Sequence, residues 1–227
     1  MSNIWFTSDT HFGHANIIIH CKRPWLRDGD TMVNDDGREV WRSPEIGESR
    51  AEEMTEALIA SHNAVVKPGD RVYHLGDFCI VKGKKSLQTE QVEKLVKRLN
   101  GDIHWIFGNH DHSYCRRAEG FASKQAALFL NKKMPVPFYL HHYACRLWPS
   151  RHYDAIHLYG HSHGTLAEDP SALSMDIGVD VWDYKPVLME EVIGYMHEKK
   201  QHIIEAGLKW RGDDHHANLR LSAHVDF

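Results

Sequence analysis

Apolar and polar positions follow two periods along this chain. Short runs at 3–8, 71–75, 102–107, 137–140, 155–159 and 174–181 are apolar or alternating, and most give way to Gly, Asp, Asn or His, which predicts β-strands. Other stretches repeat apolar residues every three to four positions and predict helices. These are 48–65 (Met54, Ala57, Leu58, Val65), 86–99 (Val92, Leu95, Val96, Leu99), 121–131 (Ala126, Leu128, Phe129, Leu130) and 188–201 (Val192, Ile193, Met196). A shorter helix opens near His14 and Asn16 and runs through Ile17, Ile18 and Ile19. Asn100-Gly101 ends the 86–99 helix, as glycine beyond a C-terminus does. Segment 21–47 is irregular. Within it 31–33 and 39–41 flank Asn34-Asp35-Asp36-Gly37-Arg38, the pattern of a hairpin. A long irregular segment is a lid, a binding loop or a surface insertion. The tail from Lys209 is polar, a surface strand or a loosely held end. Strands alternating with helices give an α/β class, in which ligands bind at the carboxyl ends of strands.

Composition narrows the class. The 227 residues suit one domain, 1–227, with a sizeable core. A net charge of -4 provides no general attraction for nucleic acid or acidic lipid. No run is long enough to span a membrane. The start, Met1-Ser2-Asn3-Ile4-Trp5, lacks a signal-peptide pattern, so cytoplasmic residence is expected. Cys21, Cys79, Cys115 and Cys145 form no CxxC pair and read as small buried residues. The outlier is histidine, with 19 residues, many at predicted strand ends.

Those ends carry chemistry. They read Asp9-x-His11, Gly76-Asp77, Gly108-Asn109-His110-Asp111, His141-His142 and Gly160-His161-Ser162-His163-Gly164. Asp-x-His and His-x-His each put two side chains on one side of an extended segment. Taken singly, each is an ordinary turn or cap. Together, Asp9, His11, Asp77, Asn109, His142, His161 and His163 make seven oxygen and nitrogen donors. That number suits two metal ions sharing a carboxylate, an arrangement that clamps an in-line displacement at phosphorus and acidifies a shared water. His14 either reaches substrate or begins its helix. A basic stretch (Lys82, Lys84, Lys85) follows Asp77, either attracting an anionic substrate or forming a solvated turn.

The ordered series resembles the calcineurin-like metallophosphoesterases. Ser8-Asp9-Thr10-His11-Phe12-Gly13-His14 and Gly178-Val179-Asp180-Val181 are similar to a subgroup of small bacterial and phage predicted phosphohydrolases. The resemblance implies two packed mixed β-sheets flanked by helices, an αββα sandwich. It implies that Asp9, His11 and His163 hold one metal, that Asn109, His142 and His161 hold a second, and that Asp77 bridges them. His110 becomes a general acid or electrostatic stabiliser, and Asp111 orients its ring. The family's His-Tyr pair selects His142 over His141. Ala144 departs from the proline usual after that Tyr. The implied activity is hydrolysis of a phosphate ester by a metal-bridging hydroxide, on a small molecule or nucleotide. The implied cofactors are two divalent ions from manganese, iron, zinc, nickel or cobalt, with manganese the first choice. A nuclease, helped by Lys82 to Lys85, Arg116, Arg117, Lys132 and Lys133, and a non-catalytic metal-binding scaffold are the alternatives.

Overall fold

The computed structural model describes residues 2–81, 83 and 85–208. The tail from Lys209, and Lys82 and Lys84 of the basic stretch, lie outside the described residues. In chain order the elements begin with β1 (Ile4–Thr7), α1 (Ala15–His20), β2 (Thr31–Val33), β3 (Glu39–Trp41), α2 (Pro44–Val65) and β4 (Arg71–His74). Then come α3 (Lys85–Val96), β5 (Asp102–Ile106), α4 (Ser113–Arg117), β6 (Ser123–Gln125), β7 (Ala127–Leu130) and β8 (Phe138–His141). A 3-10 turn at Arg151–Tyr153 precedes β9 (Ile156–Tyr159), β10 (Ser174–Asp176), β11 (Val187–Leu188) and α5 (Met189–Glu205).

One sheet has the order β11-β1-β4-β5-β6, parallel except for β11. The other has the order β10-β9-β8-β7, parallel except for β7. The two mixed sheets pack face to face, with helices at their flanks. Strand alternation builds both cores, because successive side chains leave opposite faces. Trp5, Val72, Ile103 and Trp105 join residues of α1, α2 and α3 on one side of the first sheet. Ile4, Phe6, Tyr73 and Ile106 meet Phe138, Leu140, Ile156 and Leu158 between the sheets, where Val192 and Met196 of α5 also pack. Each residue of β1 is buried, so a one-residue slip would exchange two cores rather than expose one. Among the described residues no helix is long and apolar enough to cross a membrane.

Four expectations change. Segment 121–131 is not a helix. β6 takes the open edge of the first sheet beside β5, and β7 pairs antiparallel with β8. Two free sheet edges thus override the helix propensity of Ala, Lys, Gln and Leu. The 174–181 run is strand only to Asp176, after which its backbone turns through Gly178 and Val181. α2 begins earlier than expected, at Pro44, where Ser43 accepts from the Ile46 N–H and proline tolerates the first turn. α5 extends beyond 201 to Glu205. The hairpin of 31–41 forms as expected, and its β3 lies against α1 and α2.

Candidate metal centre

The carboxyl ends of β1, β4 and β5 in one sheet meet those of β8 and β9 in the other. The loops leaving them interlock through backbone bonds. Asp9 N–H donates to Gly76 O (3.0 Å), His11 N–H to Asp77 O (2.9 Å) and Gly160 N–H to His142 O (2.9 Å). Glycine is required where loops touch. A Cβ on Gly108 would stand 2.2 Å from Asp77 Oδ1, and one on Gly160 would stand 2.1 Å from Ser8 Oγ and 2.2 Å from Asp9 Oδ2. Any other residue at either position would displace a carboxylate.

Among the described residues three groups of potential donors have their atoms within 4.8 Å of one another; one is Cys21, His163 and Asp180, and the other two are built from the expected ligands. The first of these two is Asp9 with His11 and His163, and the second is Asp77 with His142 and His161. Asn109 joins the second, its Oδ1 standing 3.0 Å from His142 Nε2. Asp77 Oδ2 lies 3.5 Å from His11 Nε2 and 3.5 Å from His142 Nε2, so one oxygen faces both groups. His11 Nε2 is buried without a hydrogen-bond partner. An orphaned imidazole nitrogen is costly unless something fills the space before it. A divalent ion suits it, because the donor set is the mixed oxygen and imidazole type that transition metals take. The other rings are oriented from behind. His142 Nδ1 donates to Leu75 O (2.7 Å), and His163 Nδ1 lies 2.7 Å from Asp180 Oδ2, which turns both Nε2 atoms inward. Asp9, His11, Asp77 and His142 form a buried floor, while Asn109 and His161 are exposed at the mouth.

Five of these residues adopt left-handed backbone: Asp9 (φ 58°), His11 (φ 50°), Asp77 (φ 52°), His161 (φ 68°) and His163 (φ 46°). Such conformations are disfavoured for residues with a Cβ and concentrate at functional sites. Here the ligand loops hold them. His161 N–H donates to both Asp9 oxygens (3.1 and 3.0 Å), and His110 N–H donates to Asp77 Oδ1 (2.8 Å).

The site is electrostatically divided. Burial pushes Asp9 up to about 7, against the opposing pull of His142 and His163. Burial also acts on Asp77, but His142 and the His110 N–H outweigh it and hold that carboxyl below its usual range. Burial, then Arg23 and His14, keep His11 well below the usual imidazole range, so it is a neutral donor. His163 is opposite: burial disfavours its charge, yet Asp180, Cys21 and Asp9 raise it to about 10. Its proton must leave before it can ligate.

The structure brings all seven expected donors together, with His110 beside them. The His110 ring centroid is 5.2 Å from that of His11 and 5.8 Å from that of His14. Asp111, expected to orient that ring, is engaged by the backbone of the turn. Its Oδ2 accepts from Asp77 N–H (2.9 Å) and Gly108 N–H (2.7 Å), and its Oδ1 from Phe78 N–H (2.9 Å), so both oxygens pin the turn. His141 faces away, stacked on Tyr139 with its Nδ1 near Tyr143. Cys79 and Cys115 are buried as expected; Cys145 is half-buried, and Cys21 is half-buried beside His163 and Asp180.

Sequence reading missed the support behind the ligands. Arg23 is fully buried. It grips Asp180 with two bonds (2.8 and 2.7 Å) and donates to Asp9 O (2.7 Å) and Thr10 O (3.1 Å). Asp176 ties the His-x-His loop through Ser162 Oγ (2.8 Å) and Gly164 N–H (3.0 Å). Asp180 was legible only as part of a resemblance, and nothing marked Arg23 within its irregular segment.

Comparison with known proteins places the chain among relatives. Residues 2–145 match the sequence model of the calcineurin-like phosphoesterases. An uncharacterized protein of Methanocaldococcus jannaschii is 30% identical over 205 residues, covering 88% of this chain and 94% of its own. A crystal structure of a protein of unknown function from Aquifex aeolicus shares the fold, with a TM-score of 0.56, 20% identity, and coverage of 86% of this chain and 100% of that one.

Proposed function

The chain belongs to the calcineurin-like phosphoesterase family, whose general chemistry is metal-dependent phosphoester hydrolysis, and from that premise we propose a two-metal hydrolase of small-molecule or nucleotide phosphate esters. The observation that carries the metal count is Asp77 Oδ2, placed 3.5 Å from an imidazole of each donor group. Asp9, His11 and His163 would hold one ion, Asn109, His142 and His161 the other, and Asp77 both. When bound, two divalent ions supply Lewis acidity that neutralises phosphate charge and makes water nucleophilic near neutral pH.

The chain's own groups do the rest. Asp9 and Asp77 fix the floor, while the exposed Asn109 and His161 leave the mouth open to a phosphate. Half-buried at that mouth and outside both donor groups, His110 is free to give a proton to the leaving oxygen. Its backbone bond to Asp77 keeps it in register with the floor. Asp111 acts through the turn rather than on the ring. The test is release of p-nitrophenol from bis(p-nitrophenyl) phosphate by protein reconstituted with manganese, iron, zinc, nickel or cobalt. Turnover with at least one metal, abolished in Asp77→Ala, is expected. No turnover with any of them would sink the proposal.

A further inference from the structure

We infer that the cavity beside the metal centre is a nucleoside pocket, so that the substrate is a phosphate ester carrying a nucleobase; this rests on the phosphoesterase reading. The cavity measures about 930 Å³, within the size range of small-molecule sites. It lies between α1 and the β2–β3 hairpin, and Gly13 and His14 form part of its wall. His14 is also part of the catalytic surroundings. Its Nδ1 is 3.1 Å from His11 Nδ1, and its ring centroid is 5.8 Å from that of His110. A phosphate at the donor groups would therefore have its organic portion beside this opening.

The lining selects a flat, mixed-polarity group. Trp41 offers a ring held in place. Gly47 lies against it, with a built Cβ 2.9 Å from Cδ1, 2.9 Å from Cγ and 3.1 Å from Cδ2, so the indole rests on the backbone of α2. A larger residue at 47 would push that ring away. Ile19, Val40 and Ile80 add apolar wall, and Asn16, His20 and Arg38 add polar groups, while the Glu39 carboxylate, also in the lining, is engaged by the Thr31 hydroxyl. The Arg38 guanidinium makes no ion pair among the described residues. Its donors suit the carbonyl and phosphate oxygens of a nucleotide. A bare sugar would set hydroxyls against Ile19, Val40 and Ile80. A nucleobase presents a face for Trp41 and an edge for the polar groups. The hairpin thereby acquires a role, because β3 supplies Val40 and Trp41.

Two p-nitrophenyl esters separate this inference from the reading beneath it. With metal-loaded protein, p-nitrophenyl thymidine 5′-phosphate should exceed methyl p-nitrophenyl phosphate in kcat/KM by about 10-fold or more, in line with base stacking on an aromatic ring. Trp41→Ala should collapse that ratio, and Trp41→Phe should keep most of it. Taking a ratio cancels general damage to the enzyme. Calorimetry with the phosphonate analogue of thymidine 5′-phosphate, whose P–C bond replaces the hydrolysable P–O ester bond, tests the cavity on the same metal-loaded proteins without turnover, and Trp41→Ala should weaken binding by about 10-fold. A parent ratio near one, or a ratio and affinity unchanged in Trp41→Ala, would overturn the pocket while leaving the hydrolase standing. Failure to turn over either ester, with the thymidine phosphonate still bound through Trp41, would overturn the hydrolase and leave the pocket.

Discussion

Arg23→Met is the most revealing change outside the metal ligands. In the parent, Arg23 is wholly buried and makes a double bond-pair to Asp180, whose carboxylate is itself almost buried. Methionine preserves much of the volume but removes the charge. Asp180 is then a buried carboxylate left beside His163 and Cys21 without its guanidinium, and the carbonyls of Asp9 and Thr10 lose their donors. Breaking a buried ion pair on one side costs about 3 to 5 kcal/mol. For a chain of this size that lowers Tm by roughly 6 to 20 °C. Because Asp180 orients His163, metal affinity should fall about 10- to 100-fold, as it does when groups behind metal ligands are lost. Thermal melts and competition with a chromophoric chelator measure the two effects. The double variant Arg23→Met/Asp180→Leu separates them. Removing both charges should restore much of the stability, yet leave metal binding weak, since His163 would lack its partner. Arg23→Met melting within about 2 °C of the parent, or a double variant binding metal as the parent does, would refute this reasoning.

Further outcomes follow from other contacts. Gly108→Ala should abolish metal uptake, measured by elemental analysis, because its Cβ would stand 2.2 Å from Asp77 Oδ1; a fully loaded variant would count against the loop packing. Asp111→Asn should lower Tm while keeping the shape of the pH–rate profile, because it pins backbone N–H groups rather than the His110 ring; a displaced profile would restore the orienting role. Burial pushes His157 down to about 4, against about 6.5 when unfolded. The unfolded chain therefore holds the extra proton between those values, and the His157 contribution is full above about 6.5 and lost as pH falls toward 4. Denaturant titrations from pH 6 to 4.5 should show His157→Gln losing stability less steeply than the parent, by about 1.4 kcal/mol per pH unit; equal slopes would contradict it.

Which features the sequence could reveal follows from physics at particular residues. The strands are legible as short apolar runs because neighbours such as Trp5 and Phe6, or Trp105 and Ile106, leave opposite faces into two apolar layers and so must both be apolar. The donors are legible because Asp9, Asp77, Asn109 and the histidines fall just beyond those strands. Segment 121–131 was misread because its state is set by sheet edges distant in sequence, beside β5 and β8. Arg23 was invisible for a similar reason: its partner Asp180 is 157 residues away. Left-handed backbone at five donors leaves no mark in composition, since glycine is the usual signal and these residues are Asp and His. The three turn N–H groups that Asp111 accepts from were not legible either, since two of them belong to Asp77 and Phe78, more than thirty residues away.

The central proposal is that seven side chains hold two ions while His110 works beside them without ligating. The most direct measurement is the metal content of His110→Ala, taken with its turnover of bis(p-nitrophenyl) phosphate. Two divalent ions per chain in both proteins, with turnover in the variant reduced about 10²- to 10⁴-fold, is the predicted result. Loss of an ion in His110→Ala, or turnover equal to the parent, would contradict it.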